Sequence, residues 1–162
     1  MRTTLLLAGA VILAGCSQTD SQTGAQAGSQ TQAQAASAPI FHTNPAQVKA
    51  GFPFSEAVEV DGLVFLSGQI GTLPDTGALI EGGIEAEARQ TMENIGATLE
   101  GLDLGFEDVV KCSVMIDDMA DWPAFNTVYA EFYDGRFPAR SAFGADGLAL
   151  DAVVEVECIA AR

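Results

Sequence analysis

From Ser17 to Ala38 the chain reads SQTDSQTGAQAGSQTQAQAASA, without a single aromatic or branched aliphatic side chain. Such a stretch cannot bury enough apolar surface to offset the entropy of ordering it, so a flexible tether is expected there. Everything able to form a core lies in residues 39–162, enough for one domain of moderate size. As a random coil the tether would span about 25 Å.

What precedes the tether is short and apolar. After Arg2 the run from Leu5 to Ala14 falls well below the roughly 20 residues a spanning helix needs, so it reads as an export signal. It closes on Leu13-Ala14-Gly15-Cys16, which resembles the lipobox of bacterial lipoproteins. That resemblance implies removal of residues 1–15 and a lipid anchor on Cys16 that holds the protein to a membrane of the cell envelope. Ser17 after the cysteine implies, by the same resemblance, onward passage to the periplasmic side of the outer membrane.

Charge narrows the partners. The chain has 22 acidic against 7 basic residues, a net charge of −15, and loses Arg2 with the signal. Such a surface repels phosphate backbones, so no nucleic-acid partner is expected. The two remaining cysteines, Cys112 and Cys158, each sit inside a β-branched run. A disulfide is chemically permitted outside the cytoplasm, but mid-strand geometry is demanding, so two buried thiols are expected.

Periodicity then orders the elements. Residues 56–71 alternate around Asp61-Gly62 and read as two strands joined by a tight turn, followed by a Gly/Pro/Asp-rich loop over 72–83. Ile84, Ala88, Met92, Ile95, Leu99 and Leu102 recur at helical spacing, with Glu85 and Glu87 expected in the first turn. A strand is expected over 108–119. A second helix follows, capped by Asp121, entered through Trp122-Pro123 and ended by Asp134-Gly135. Its stripe of Phe125, Tyr129 and Phe132 is expected to be core. Residues 139–149 and 151–162 read as two final strands. The order β-β-α-β-α-β-β implies an α+β domain, one sheet with two helices on one face. The bare face would need a partner, which implies oligomerisation.

Few chemistries remain open. The only histidine, His42, lies at the edge of the tether, which argues against a Ser-His-Asp triad, and the Cys/His set has no metal-ligand spacing. No phosphate-binding glycine loop occurs, and Lys49 and Lys111 are the only lysines. Neither a metal nor a cofactor is expected. Arginine, carboxylates and main chain are left. Glu155 and Glu157 share one strand face, opposite Val154, Val156 and Cys158. Arg140 stands at the start of a strand. On the residues alone, Arg140 could equally hold a carboxylate of its own chain, and the glutamates could equally be a solvated sheet face.

Several spaced elements resemble one family: GFPFSEAV, LVFLSGQIG, EAEARQTMENI, DVVKCSVMIDDMADWPAFNTVYAEFY, FPARSAF and VVEVECIAAR. Over nearly all of 51–162 the chain is similar to the RidA/YjgF-like reactive intermediate deaminases. The resemblance implies a chorismate-mutase-like α+β subunit with a mixed sheet, assembled as a homotrimer with sites between subunits. It implies hydrolysis of enamine/imine acids of the 2-aminoacrylate type to 2-keto acids and ammonia. By position, the substrate-clamping arginine falls on Arg140 and the water-activating glutamate on Glu155. Ser67, Gly68 and Asn126 fall on other positions lining the cleft.

The chain departs from that pattern at Phe54, where many members carry a tyrosine, and at Ala142, where a cysteine or serine is common. Both positions line the implied pocket, so they bear on substrate range more than on reaction type. The competing expectation is a non-catalytic envelope module of the same fold that binds small carboxylates.

Overall fold

Alternation in the sequence becomes one six-stranded sheet in the computed structural model, which describes residues 37–162. In chain order the elements are β1 (Ile40–His42), α1 (Pro45–Ala50), β2 (Ala57–Val60), β3 (Leu63–Leu66), α2 (Gly83–Glu100), β4 (Val109–Ile116), α3 (Trp122–Ala130), β5 (Ala139–Gly144) and β6 (Val154–Ala161). The strand order is β1-β2-β3-β6-β4-β5. Only β4 and β5 run parallel, with α3 as the crossover such a pair needs. The sheet is mixed, as expected. The signal segment and Cys16 lie outside the described residues.

The core forms where one face of the sheet meets the two long helices. Val64 and Leu66 of β3, Cys112, Val114 and Ile116 of β4, and Val154, Val156 and Cys158 of β6 are buried. They meet Ala88, Met92, Ile95 and Leu99 from α2 and Phe125, Val128 and Tyr129 from α3. The opposite face carries the alternate residues, including Phe65, Lys111, Ser113, Met115, Phe143, Glu155, Glu157 and Ile159, and none of these is buried. The expected bare face is present, with Phe65 41% and Phe143 52% exposed.

Several boundaries differ from expectation for local reasons. Asp61 and Gly62 do form the hairpin turn, both with positive φ (49° and 80°), as a type I′ turn requires. Order reaches back into the expected tether, because Asp61 Oδ1 accepts hydrogen bonds from the Ser37 amide (2.8 Å) and hydroxyl (2.9 Å). Helix α2 stops at Glu100, so Leu102 packs on the core from beyond Gly101. Glu87 lies past the first turn and is buried, its carboxylate accepting from Val153 N at 2.9 Å.

Asp121 makes no side-chain cap on α3. The capping carboxylate is Asp118, which accepts from Ala120 N and closes a 3₁₀ turn over Met119–Asp121. Because that turn delivers the chain directly into Trp122 with helical geometry, no separate cap is needed. The helix then ends at Ala130, well before Asp134-Gly135, and a series of turns carries Phe132 and Tyr133 onto the core. Strand β1 and helix α1 are not expected from the sequence; three and six residues are too few to show a period.

The two buried thiols are a disulfide. Strands β4 and β6 pair antiparallel with Cys112 directly opposite Cys158, Cα atoms 4.1 Å apart, and the sulfurs are bonded. Both point into the covered face. Register decides this, and register between strands 46 residues apart is not visible in either strand alone.

Candidate functional site

Arg140 lies on β5 opposite Cys112 of β4, which puts its side chain on the covered face of the sheet. There the guanidinium lies between two rings of α3, 4.6 Å from the centroid of Trp122 and 4.5 Å from that of Tyr129. Its Nη2 donates to Asn126 Oδ1 at 2.7 Å. Trp122, Asn126 and Tyr129 are spaced four and three apart, so one helical face supplies both flanking rings and the acceptor. This stacking orients a planar cation and leaves most of its N–H groups free.

Three of the four arginines among the described residues take a carboxylate of their own chain: Arg89 with Glu131, Arg136 with Asp134 and Arg162 with Glu59. Arg140 takes none. In so acidic a chain this matters, because its fork faces a cavity of about 330 Å³ lined by Asn126, Tyr129, Ala130, Phe137, Pro138 and Arg140 itself. Burial pushes the hydroxyls of Tyr129 and Tyr133 above their ordinary value, so both remain neutral beside the guanidinium. Ala142, two residues along β5, shares the covered face with Arg140.

Glu155 belongs to a different place. It pairs with Met115 across β6 and β4 and projects from the bare face, beside Glu157. Gly68 packs against its carboxyl: a Cβ at Gly68 would stand 2.9 Å from Glu155 Cδ and overlap Oε1. Only glycine lets the main chain approach this closely. The approach is fixed by a bridge in which Gln69 and Val156 exchange N–H···O bonds of 2.9 Å. Ser67 is held beside it, its hydroxyl donating to Ser55 O at 2.7 Å, which also positions Phe54. Asn94 of α2 donates to Ile70 O and Thr72 O and pins the far end of this strip.

Partial burial raises the Glu155 carboxyl above its ordinary value, and the charge of Glu157 raises it further. Within one subunit Arg140 does not enter, since the two residues leave opposite faces of the sheet. The structure therefore gathers Arg140, Asn126 and Ala142 into one group, and Glu155, Gly68 and Ser67 into another; Phe54 stacks on Phe52 and is tied to the second group only as the chain neighbour of Ser55. The structure does not unite the two groups.

Sequence reasoning missed the rings that hold the arginine. Tyr129 was expected as core and is buried, yet it is also one of Arg140's flanking rings. The seven-residue interval from Trp122 to Tyr129 was the available signal.

Residues 44–162 match the family model described as Endoribonuclease L-PSP. The mouse 2-iminobutanoate/2-iminopropanoate deaminase is 37% identical over 123 residues, covering 76% of this chain and 90% of that protein. The goat protein of the same name is 40% identical, covering 68% of this chain and 80% of its own. Among solved structures, RidA from an Antarctic Psychrobacter superposes with a TM-score of 0.67 at 37% identity, over 68% of this chain and 89% of that one. E. coli TdcF with bound serine superposes at 0.65 and 34% identity, over 68% and 88%.

Proposed function

This chain belongs to the Endoribonuclease L-PSP family, and from that membership we propose that it hydrolyses enamine/imine acids to 2-keto acids and ammonia. The observation that carries the reading is Arg140: an arginine without an ion pair, stacked between rings and facing a cavity, in a chain rich in acids. A substrate carboxylate would take two parallel hydrogen bonds from that fork. Two relatives named as imine deaminases, and a neighbour solved with serine, are consistent with a small carboxylate as ligand.

The chemistry needs a base and a water. Glu155 removes a proton from water as the hydroxide adds to the imine carbon and passes that proton to the imine nitrogen, giving a carbinolamine. The hydroxyl proton then moves through Glu155 to the nitrogen, the C–N bond breaks, the nitrogen leaves as ammonia, and the oxygen becomes the keto group. A carboxyl raised toward neutral pH suits both halves of this exchange. Water and imine are consumed, keto acid and ammonia are formed, and no redox partner is required.

Because Arg140 and Glu155 lie on opposite faces, the complete site requires two subunits, Arg140 from one and Glu155 from the next. A homotrimer closing its bare sheet faces inward would supply three such sites. Cleavage of RNA, which the family description names, is disfavoured by a net charge of −15. The alternative is a carboxylate-binding module without turnover, favoured by the fact that one subunit holds the arginine without the base. Envelope tethering through Cys16 belongs to the same proposal, supported by Leu13-Ala14-Gly15-Cys16; a Cys16→Ser protein with unchanged mass and membrane fractionation would remove it.

The deciding experiment follows ammonia and keto-acid release when the purified protein meets freshly generated 2-iminopropanoate. Glu155→Gln should bind pyruvate as the parent does while hydrolysis falls by about 10²-fold. Full hydrolysis in that variant would reject Glu155 as the base, and none in the parent would reject the deaminase reading.

A further inference from the structure

Three aromatic rings that the fold has no need to expose border the two halves of the site. Phe137, 57% exposed, and Pro138 wall the cavity in front of Arg140. Phe54, 50% exposed, stands beside Ser55, which Ser67 holds next to Gly68 and Glu155. Phe52, 54% exposed, stacks flat against Phe54 with centroids 5.5 Å apart and planes 8° from parallel.

Two of the polar groups at these walls are already committed. Asn126 gives its carbonyl oxygen to Arg140, Ser67 gives its hydroxyl to Ser55 O, and the free N–H groups of Arg140 are reserved for a carboxylate. Once that carboxylate is seated, Ala130, Phe137, Pro138 and the Tyr129 ring remain as apolar wall, with the Asn126 amide and the Tyr129 hydroxyl as its polar groups. The cavity's volume of about 330 Å³ corresponds to on the order of ten waters. A three-carbon imino acid has six heavy atoms, fewer than that space holds.

Resting on the deaminase reading, we infer that the preferred substrate is an imino acid with a phenyl-sized apolar side chain, carried between Phe137 of one subunit and Phe54 of the next. A hydrophobic pocket separates ligands by roughly 10- to 200-fold for each added methylene it covers fully. With rings half exposed, a preference of about tenfold over the three-carbon imine is expected.

The test compares kcat/KM for 2-imino-3-phenylpropanoate and 2-iminopropanoate, each made in situ by an amino-acid oxidase on phenylalanine or alanine, with catalase removing peroxide. Full-length protein is compared with Phe54→Ala and Phe137→Ala. The expected ratio is about ten or more in the parent and close to one in either variant. A parent ratio at or below one, or a ratio that neither variant moves, overturns the inference while leaving the deaminase reading intact. If neither imine is hydrolysed, the deaminase reading fails, and calorimetry with phenylpyruvate and pyruvate decides the pocket's preference. Tighter phenylpyruvate binding, lost in Phe137→Ala, upholds the apolar pocket; equal or weaker binding overturns it.

Discussion

Arg140 and Glu155 project from opposite faces of the same sheet, the one toward the helices opposite Cys112, the other away from them opposite Met115. Within a subunit the sheet itself separates the two side chains.

Complementation follows from that geometry. Arg140→Ala and Glu155→Gln should each be nearly inactive alone. Mixed at equal amounts by co-expression, they should recover about a quarter of parental activity, because a quarter of the sites combine an intact arginine with an intact glutamate. Mixed oligomers of normal size without recovered activity would place both residues in one subunit's site.

The acid limb of the pH–rate profile should lie above the ordinary glutamate range, because burial and then Glu157 raise the Glu155 carboxyl. Glu157→Gln should move that limb to lower pH and leave the plateau rate within about twofold. An unmoved limb would mean that a different group controls it.

The same raised carboxyl sets a sign for stability. Below the ordinary glutamate range both native and unfolded chains hold the proton, and the favourable contribution of the neutral group is complete. As pH rises through the raised native value, ionising Glu155 costs more in the folded chain, and that contribution is lost. Glu155→Gln should therefore melt progressively higher than the parent over the range from the ordinary glutamate value of about 4.3 toward neutrality. Thermal unfolding at the two ends of this range measures the gap, and a gap that closes toward neutrality contradicts it.

Gly68→Ala places a methyl where the Glu155 carboxyl now rests. Turnover should fall at least as far as in Glu155→Gln, with circular dichroism unchanged. Keto-acid binding through Arg140 should persist, because that arm lies on the opposite face. Turnover at the parental rate would show that the carboxyl works from another position.

The disulfide closes a loop of 46 residues between β4 and β6. Its removal by the double substitution Cys112→Ala and Cys158→Ala should cost about 3–4 kcal/mol in urea unfolding. Alkylation of the native protein without reductant should leave both cysteines unlabelled.

The elements were legible because each writes its own period. Val154 through Ala161 alternate, α2 repeats every three to four residues, and Asp61-Gly62 has the composition its turn requires. Arg140 and Glu155 were legible as residue types in a known pattern. Their separation was not, because which face a strand residue takes relative to another strand depends on register. The same ignorance hid the Cys112–Cys158 bond, since the two runs look alike whether or not they are paired. Asp121 misled for a more local reason: a 3₁₀ turn ahead of α3 moved the capping role three residues back, to Asp118.

Residues 112–158, the span enclosed by the disulfide, contain both Arg140 and Glu155. They also contain the largely exposed segment 145–151 between β5 and β6, a stretch open to a protease. A cut there would leave two polypeptides still joined through sulfur, with β5 paired to β4 and β6 on β4's other edge. The nicked molecule would run as one band on a gel until reductant is added. Its candidate site residues would stay covalently connected through damage that would otherwise release the C-terminal strand.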